Sequence, residues 1–208
     1  MPTIGPSAVE SLPGALLFER PQGTWRIEDW ARLNWEHGGR IELVDGCLEL
    51  PAMPSRRHLR IQRRIRELLA AVLADLASDL IAETLPWKLR ISPRTGRVAD
   101  VIVFREDETV SESDESGGVL GGGEVMLAVE VISPGRRQRD RDLHEKRDDY
   151  AAAGISEYWI VDPEAETVRQ LRLVGGAYEE TALLRADAGG HLVPHFGGEV
   201  DVAALFAD

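Results

Sequence analysis

Two strand-length apolar runs, each with one acid inside it, constrain this chain more than any other feature. The first is Val98-Ala99-Asp100-Val101-Ile102-Val103-Phe104; the second is the stretch from Val125 to Ile132, which holds Glu130 between Val129 and Val131. Apolar runs of this length predict strands, and a near-continuous one predicts a strand covered on both faces. A carboxylate in such a strand is costly to bury unless it is paired or holds a metal. The segment that follows supplies Asp142, Lys146 and Tyr150, spaced i, i+4, i+8 and so on one face of a helix predicted over residues 139–153. Gly154 ends that helix.

Two acids on separate strands and a lysine on the next helix point to metal-assisted hydrolysis of a phosphodiester. Mg²⁺ is held by one or two carboxylates together with carbonyls and waters, and it both stabilises charge and activates water. Asp100 and Glu130 are the candidate carboxylates, with the Val131 carbonyl as a further ligand. Lys146 would orient the water or neutralise the phosphate in the transition state. Asp142 would pair with Lys146, and Tyr150 would hydrogen-bond nearby or simply pack.

Each residue also has a plainer reading. Asp100 can cap a turn, Glu130 can pair with an arginine of the long helix, and Lys146 can pair with Asp142 on a helix surface. His58 at the start of the long helix is either a base or phosphate donor, or structural.

Around this centre the chain reads as one α/β domain. Residues 1–22 carry Pro and Gly with little periodicity and form a loose arm; residues 23–208 form the domain. A short helix is predicted between Trp25 and Trp35. Ile41 to Leu50 is a hairpin around Asp45-Gly46, a favoured type I′ pair. A long helix starts near Ser55, with Ile61, Ile65, Leu68, Leu69, Val72 and Leu76 on its apolar stripe. Leu80 to Ile91 reads as a strand kinked at Pro86, Ser92 to Gly96 as a turn, and residues 105–123 as an acidic, then glycine-rich connection. After the helix over 139–153 come a strand at Glu157–Val161, a hairpin of Val168–Val174 and Ala177–Leu184 over Gly175-Gly176, and a final short helix capped by Asp201.

Composition removes several classes. No apolar run approaches the roughly 20 residues of a membrane span, and a single cysteine, Cys47, precludes an internal disulfide or a cysteine zinc cluster. With no secretory signal pattern, the expectation is a cytoplasmic protein. The net charge of −12 argues against non-specific coating of nucleic acid. Charge is uneven, however: Arg57, Arg60 and Arg63 lie in an acid-free basic window, and Arg136 and Arg137 open a second cluster. Both are candidate phosphate contacts.

These residues resemble the Uma-two family of restriction-endonuclease-like proteins, a branch of the PD-(D/E)XK nuclease superfamily. The likeness runs from about Trp25 to Phe206, through Glu42-Leu43-Val44-Asp45-Gly46, His58, Ala99-Asp100-Val101 and Val129-Glu130-Val131-Ile132-Ser133-Pro134. It continues through Asp142, Lys146, Tyr150 and Gly154-Ile155-Ser156-Glu157-Tyr158-Trp159-Ile160-Val161-Asp162-Pro163. The resemblance implies a restriction-endonuclease-like mixed sheet flanked by helices, with an N-terminal β-hairpin and a C-terminal strand pair. It implies Mg²⁺ or Mn²⁺ as cofactor, DNA as substrate and a homodimer. It also makes Glu42 a third acid near the metal, and it puts Lys146 in place of the superfamily's strand lysine, where this chain has Ile132. The same departure keeps a second reading open, a nuclease fold retained as a binding or assembly module. A carboxylate-pair hydrolase acting on something other than nucleic acid, such as a glycoside, is a third.

Overall fold

Glu130 sits at the centre of the molecule because its strand does. The computed structural model describes residues 20–33, 40–51, 53–84, 87–105, 119–133, 135 and 139–207. Strand β8 (Val125–Val131) is buried almost throughout, as expected for an apolar run with neighbours on both sides. It pairs antiparallel with β6 (Val101–Arg105) and parallel with β9 (Glu157–Asp162). A parallel neighbour requires a crossover. Here the crossover is a π-helical turn, Arg141–Glu145, running into helix α3 (Lys146–Ala153), which Gly154 ends at φ +84°.

The large sheet is completed by β3 (Leu80–Glu83) beside β6, and by β10 (Thr167–Val174) and β11 (Ala177–Arg185) beyond β9, in the order β11-β10-β9-β8-β6-β3. A smaller sheet contains β1 (Glu42–Val44), β2 (Cys47–Glu49), β4 (Lys88–Ser92), β5 (Thr95–Arg97) and β7 (Val119–Gly121), in the order β2-β1-β5-β4-β7. The hairpin turn is as predicted: Asp45 and Gly46 both take positive φ. Strands β12 (His191–Leu192) and β13 (Val200–Asp201) pair, and Asp201 caps helix α4 (Val202–Phe206) by accepting the Ala203 N–H. The short N-terminal helix is α1 (Ile27–Ala31), with Ile27 and Trp30 buried.

Opposite faces of the large sheet meet different partners. Helix α2 (Arg56–Asp75) is capped by Ser55, which accepts the His58 N–H. It packs Ile61, Ile65, Leu69 and Leu73 against Val101, Val103, Val129, Val131 and Trp159. On the other face, Tyr150 of α3 with Leu89 and Leu120 of the small sheet pack against Ile102, Phe104, Ala128 and Ile132.

Three local expectations are corrected. The predicted kinked strand over 80–91 is two strands in different sheets, consistent with Pro86 having no N–H to give a ladder. Thr95–Arg97 is a strand rather than a turn: Gly96 lies against Trp30, so close that an added Cβ would sit 2.3 Å from the indole. In α2 the stripe ends on buried Leu73, whereas Leu76 is exposed because it lies at the helix C-cap. Most of the expected N-terminal arm, and most of the acidic connection, lie outside the described residues.

Candidate active site

Asp100 and Glu130 are brought to one pocket by the pairing of β6 with β8. Val101 pairs with Val129, and the Asp100 N–H donates to the Val129 carbonyl, so Asp100 lies just before β6, beside the end of β8 that carries Glu130. Both are buried. From the small sheet, β1 contributes Glu42; from the crossover come Asp142 and Lys146. These residues line one polar pocket together with Arg40, His58, Val131, Ser133 and Arg141.

Lys146 ties the acids together. Its Nζ lies 2.8 Å from Glu130 Oε1, 3.0 Å from Glu42 Oε1 and 3.8 Å from Asp142 Oδ1. Tyr150, one turn further along α3, donates its hydroxyl to the same Glu130 Oε1 at 2.6 Å. Both predicted helix partners thus reach Glu130. Burial disfavours the Lys146 ammonium, but Glu130, Glu42 and Asp142 outweigh that and raise its pKa.

The acids differ in state. Burial pushes Glu130 up, the Lys146 charge opposes this, and Asp100, Asp142 and Glu42 add to the push; the result is about 7. Burial would also raise Glu42, but Lys146 and Arg97 hold it down at about 2. Arg97 Nη1 is 3.0 Å from Glu42 Oε2, and Nη2 is 2.7 Å from Asp149. Asp100 is held well below the carboxylate range, because hydrogen bonding from His58 and the Arg40 charge overcome burial. His58 Nε2 donates to Asp100 Oδ1 at 3.0 Å, Arg40 pairs with the same oxygen, and the Val131 N–H donates to Oδ2 at 2.7 Å. Asp142 is raised, first by burial.

The sequence therefore selects residues that meet: Glu42, His58, Asp100, Glu130, Val131, Asp142, Lys146 and Tyr150 share one site. Glu42 contributes as a clamp on Lys146 and Arg97. Sequence reasoning misses four more residues that join them: Arg40, Arg97, Arg141 and Gln62, whose amide donates to the Asp100 carbonyl at 2.7 Å. Arg97 carries one signal, an arginine abutting a buried run. Arg40, distant in sequence, carries none. Arg57 pairs with Glu166 and Arg63 with Glu67. Arg60 is half-buried. Arg136 and Arg137 lie outside the described residues.

A second cleft of about 440 Å³ adjoins the pocket, lined by Arg57, Arg139, Ile132 and Pro163 among others. His58 and Ser133 line both spaces.

The donor set fits a hard divalent cation in kind. Lys146 and Tyr150 both meet Glu130 at Oε1, and no hydrogen bond among the described residues reaches Oε2. Asp142 Oδ1 is buried with no hydrogen-bond partner among them. All donors are oxygens, and one or two carboxylates completed by water is the habit of Mg²⁺. Among the described residues, no three Asp, Glu, His or Cys side chains converge on a single ion position. Lys146 stands between Glu42 and Glu130 and Arg40 stands on Asp100, so cations of the chain itself already occupy three of the four acids.

The fold is that of a nuclease-like class of protein. The profile of the Uma2 family, described as "putative restriction endonuclease", matches residues 27–203. The chain belongs to that family. It is also similar to the crystal structure of a "putative nuclease" from Anabaena variabilis, at 20% identity and a TM-score of 0.66, over 87% of this chain and 97% of that one. At that identity the likeness speaks to the fold. No curated protein sequence matches the chain significantly. Among the described residues, no helix is long and apolar enough to cross a membrane.

Proposed function

We propose that this pocket hydrolyses phosphodiester bonds in DNA with a bound Mg²⁺ or Mn²⁺ ion, held by Asp100 and Glu130 and completed by the Val131 carbonyl and water. The observation that carries the reading is a pair of buried carboxylates, Asp100 and Glu130, lining one pocket at the ends of adjoining strands, with Lys146 hydrogen-bonded to Glu130. When bound, such an ion supplies charge neutralisation at the phosphate and lowers the pKa of its water.

The chain's own groups do the rest. Lys146 stays an ammonium and presents positive charge beside the reacting phosphate. Glu42, itself pinned by Arg97, fixes the lysine's position, and Tyr150 holds the Glu130 carboxylate in orientation. His58 does the same for Asp100. The cleft that shares His58 and Ser133 with the pocket gives the strand a path, with Arg57 at its wall. Arg60 and Arg63 on the same helix, and Arg136 and Arg137, serve the phosphate backbone. Cutting both strands calls for paired sites, and a two-fold dimer would supply them.

The test is cleavage of supercoiled plasmid in EDTA, Mg²⁺ or Mn²⁺ by the parent and an Asp100→Ala/Glu130→Ala double variant, with calorimetry of metal binding alongside. Metal-dependent nicking by the parent alone is the expected result. One observation favours a second reading, a binding or assembly module: the cations already sitting on the carboxylates. Silence in the cleavage assay, with no heat of metal binding, would end the nuclease reading and leave that module standing.

A further inference from the structure

We propose that Arg40 and Arg141 form an oxyanion subsite that takes the non-bridging oxygens of the substrate phosphodiester. The assignment rests on the nuclease reading above but does not require turnover. Both arginines line the pocket of Asp100, Glu130 and Lys146. Each holds a buried donor with no hydrogen-bond partner among the described residues: Nη2 of Arg40 and Nε of Arg141.

Such orphans are uncommon and each is costly to keep. Two in one pocket, beside a buried carboxylate oxygen in the same condition (Asp142 Oδ1), leave donors that a bound anion would engage. Arg40 is not loose, since another of its nitrogens pairs with Asp100 Oδ1. Among the described residues, the Arg141 guanidinium makes one ion-pair approach, 3.5 Å to Asp142 Oδ1, outside hydrogen-bonding geometry. One arginine is thus anchored with a free arm, and the other is paired by charge.

A ligand there must accept from two guanidinium groups while tolerating four neighbouring carboxylates, Glu42, Asp100, Glu130 and Asp142. A tetrahedral phosphate diester fits, because it offers two anionic acceptors and travels with a cation that the carboxylates attract. Arginine suits such oxygens through its fork of donors. A neutral ligand would satisfy the donors but leave the carboxylates' mutual repulsion untouched.

Thermal unfolding of the full chain in Ca²⁺, a hard cation that binds oxygen donors, tests this without catalysis. The probes are orthophosphate and a thymidine dinucleotide with one internal diester and no terminal phosphate. Both should raise the parent's midpoint, by about 3 °C near saturation. Arg141→Gln should lose most of that rise, with an unliganded midpoint equal to the parent's or higher, since it removes an unsatisfied buried donor. Arg40→Gln should lose the rise too and lower the unliganded midpoint, because Asp100 loses its partner. Equal rises in parent and Arg141→Gln, no rise in the parent, or a response to orthophosphate alone would each overturn the subsite. So would a fall of several degrees in unliganded Arg141→Gln, the mark of a structural arginine. Plasmid nicking with Arg141-independent phosphate binding would sink the subsite and spare the nuclease; the reverse pattern would do the opposite.

Discussion

Glu130 and Glu157 lie on neighbouring strands of one sheet, both buried, and their surroundings are built in opposite ways. Glu157 faces the α2 side with Trp159, and its oxygens are covered by donors. The Trp159 indole and the Gln170 amide each donate at 2.5 Å, and the His195 backbone N–H and Nδ1 donate at 2.8 and 2.9 Å. Burial alone would raise the Glu157 pKa, but those hydrogen bonds outweigh it and lower the value. Glu130 faces α3 and shares its pocket with three more carboxylates, which help drive its pKa up. The first arrangement closes a structure, clasping the segment at Val193–His195 to the sheet. The second gathers four acids around shared cations, Lys146 and Arg40 foremost, so that the charge of each depends on its neighbours.

The sharpest way to break this contrast is Lys146→Met. It strips the shared cation from Glu42 and Glu130, and stability should fall by about 3–5 kcal/mol, the cost of buried charge left unpaired. Chemical denaturation measures it; a loss under about 1 kcal/mol would mean the cluster is not held together by its lysine. Next is Glu157→Ala, which leaves its donors without an acceptor and should cost about 3 kcal/mol, a fall of roughly 6–12 °C in Tm for a chain of this size. Metal binding, measured by calorimetry, should be unchanged.

The pH dependence of Tm separates the two acids by sign. A carboxyl raised from 4.5 to about 7 in the fold favours the folded state at low pH, and that contribution is lost as pH rises through 7. Glu130→Gln should therefore flatten a decline of a few degrees between about pH 5 and 8. Glu157, lowered from 4.5, contributes above that value and loses its contribution as pH falls through its folded value. Glu157→Gln should flatten the acid limb and leave the neutral limb alone. Identical pH profiles for the two variants would erase the distinction. The smallest effect belongs to His195→Ala, which removes one donor while the backbone N–H remains, at about 1 kcal/mol by denaturation.

Much of the site is legible in the sequence because strand and helix periods place side chains at known spacings. Asp100 and Glu130 stand out as acids in runs that bury both faces. Asp142, Lys146 and Tyr150 stand out by their four-residue spacing, and in the fold Lys146 and Tyr150 reach Glu130 together. Glu157, equally buried, does not stand out, since apart from Trp159 its donors come from Gln170 and His195, on other segments. The split of residues 80–91 between two sheets and the strand at Thr95–Arg97 are also out of reach, because long-range pairing, not local propensity, creates them.

The sequence alone thus determined the strands that flank Asp100 and carry Glu130, the helix that carries Lys146, the turn at Asp45-Gly46, and the acids and lysine that had to be reconciled with burial. Tertiary structure alone decided that Glu42 clamps Lys146, that Arg40 and Arg141 arrive with donors to spare, and that Asp100 is held ionised while Glu130 resists ionisation. Local sequence encodes the period of a side chain along its own element. A carboxylate's charge state depends instead on which groups the fold brings within a few ångströms of it, and here they come from both sheets and the crossover helix.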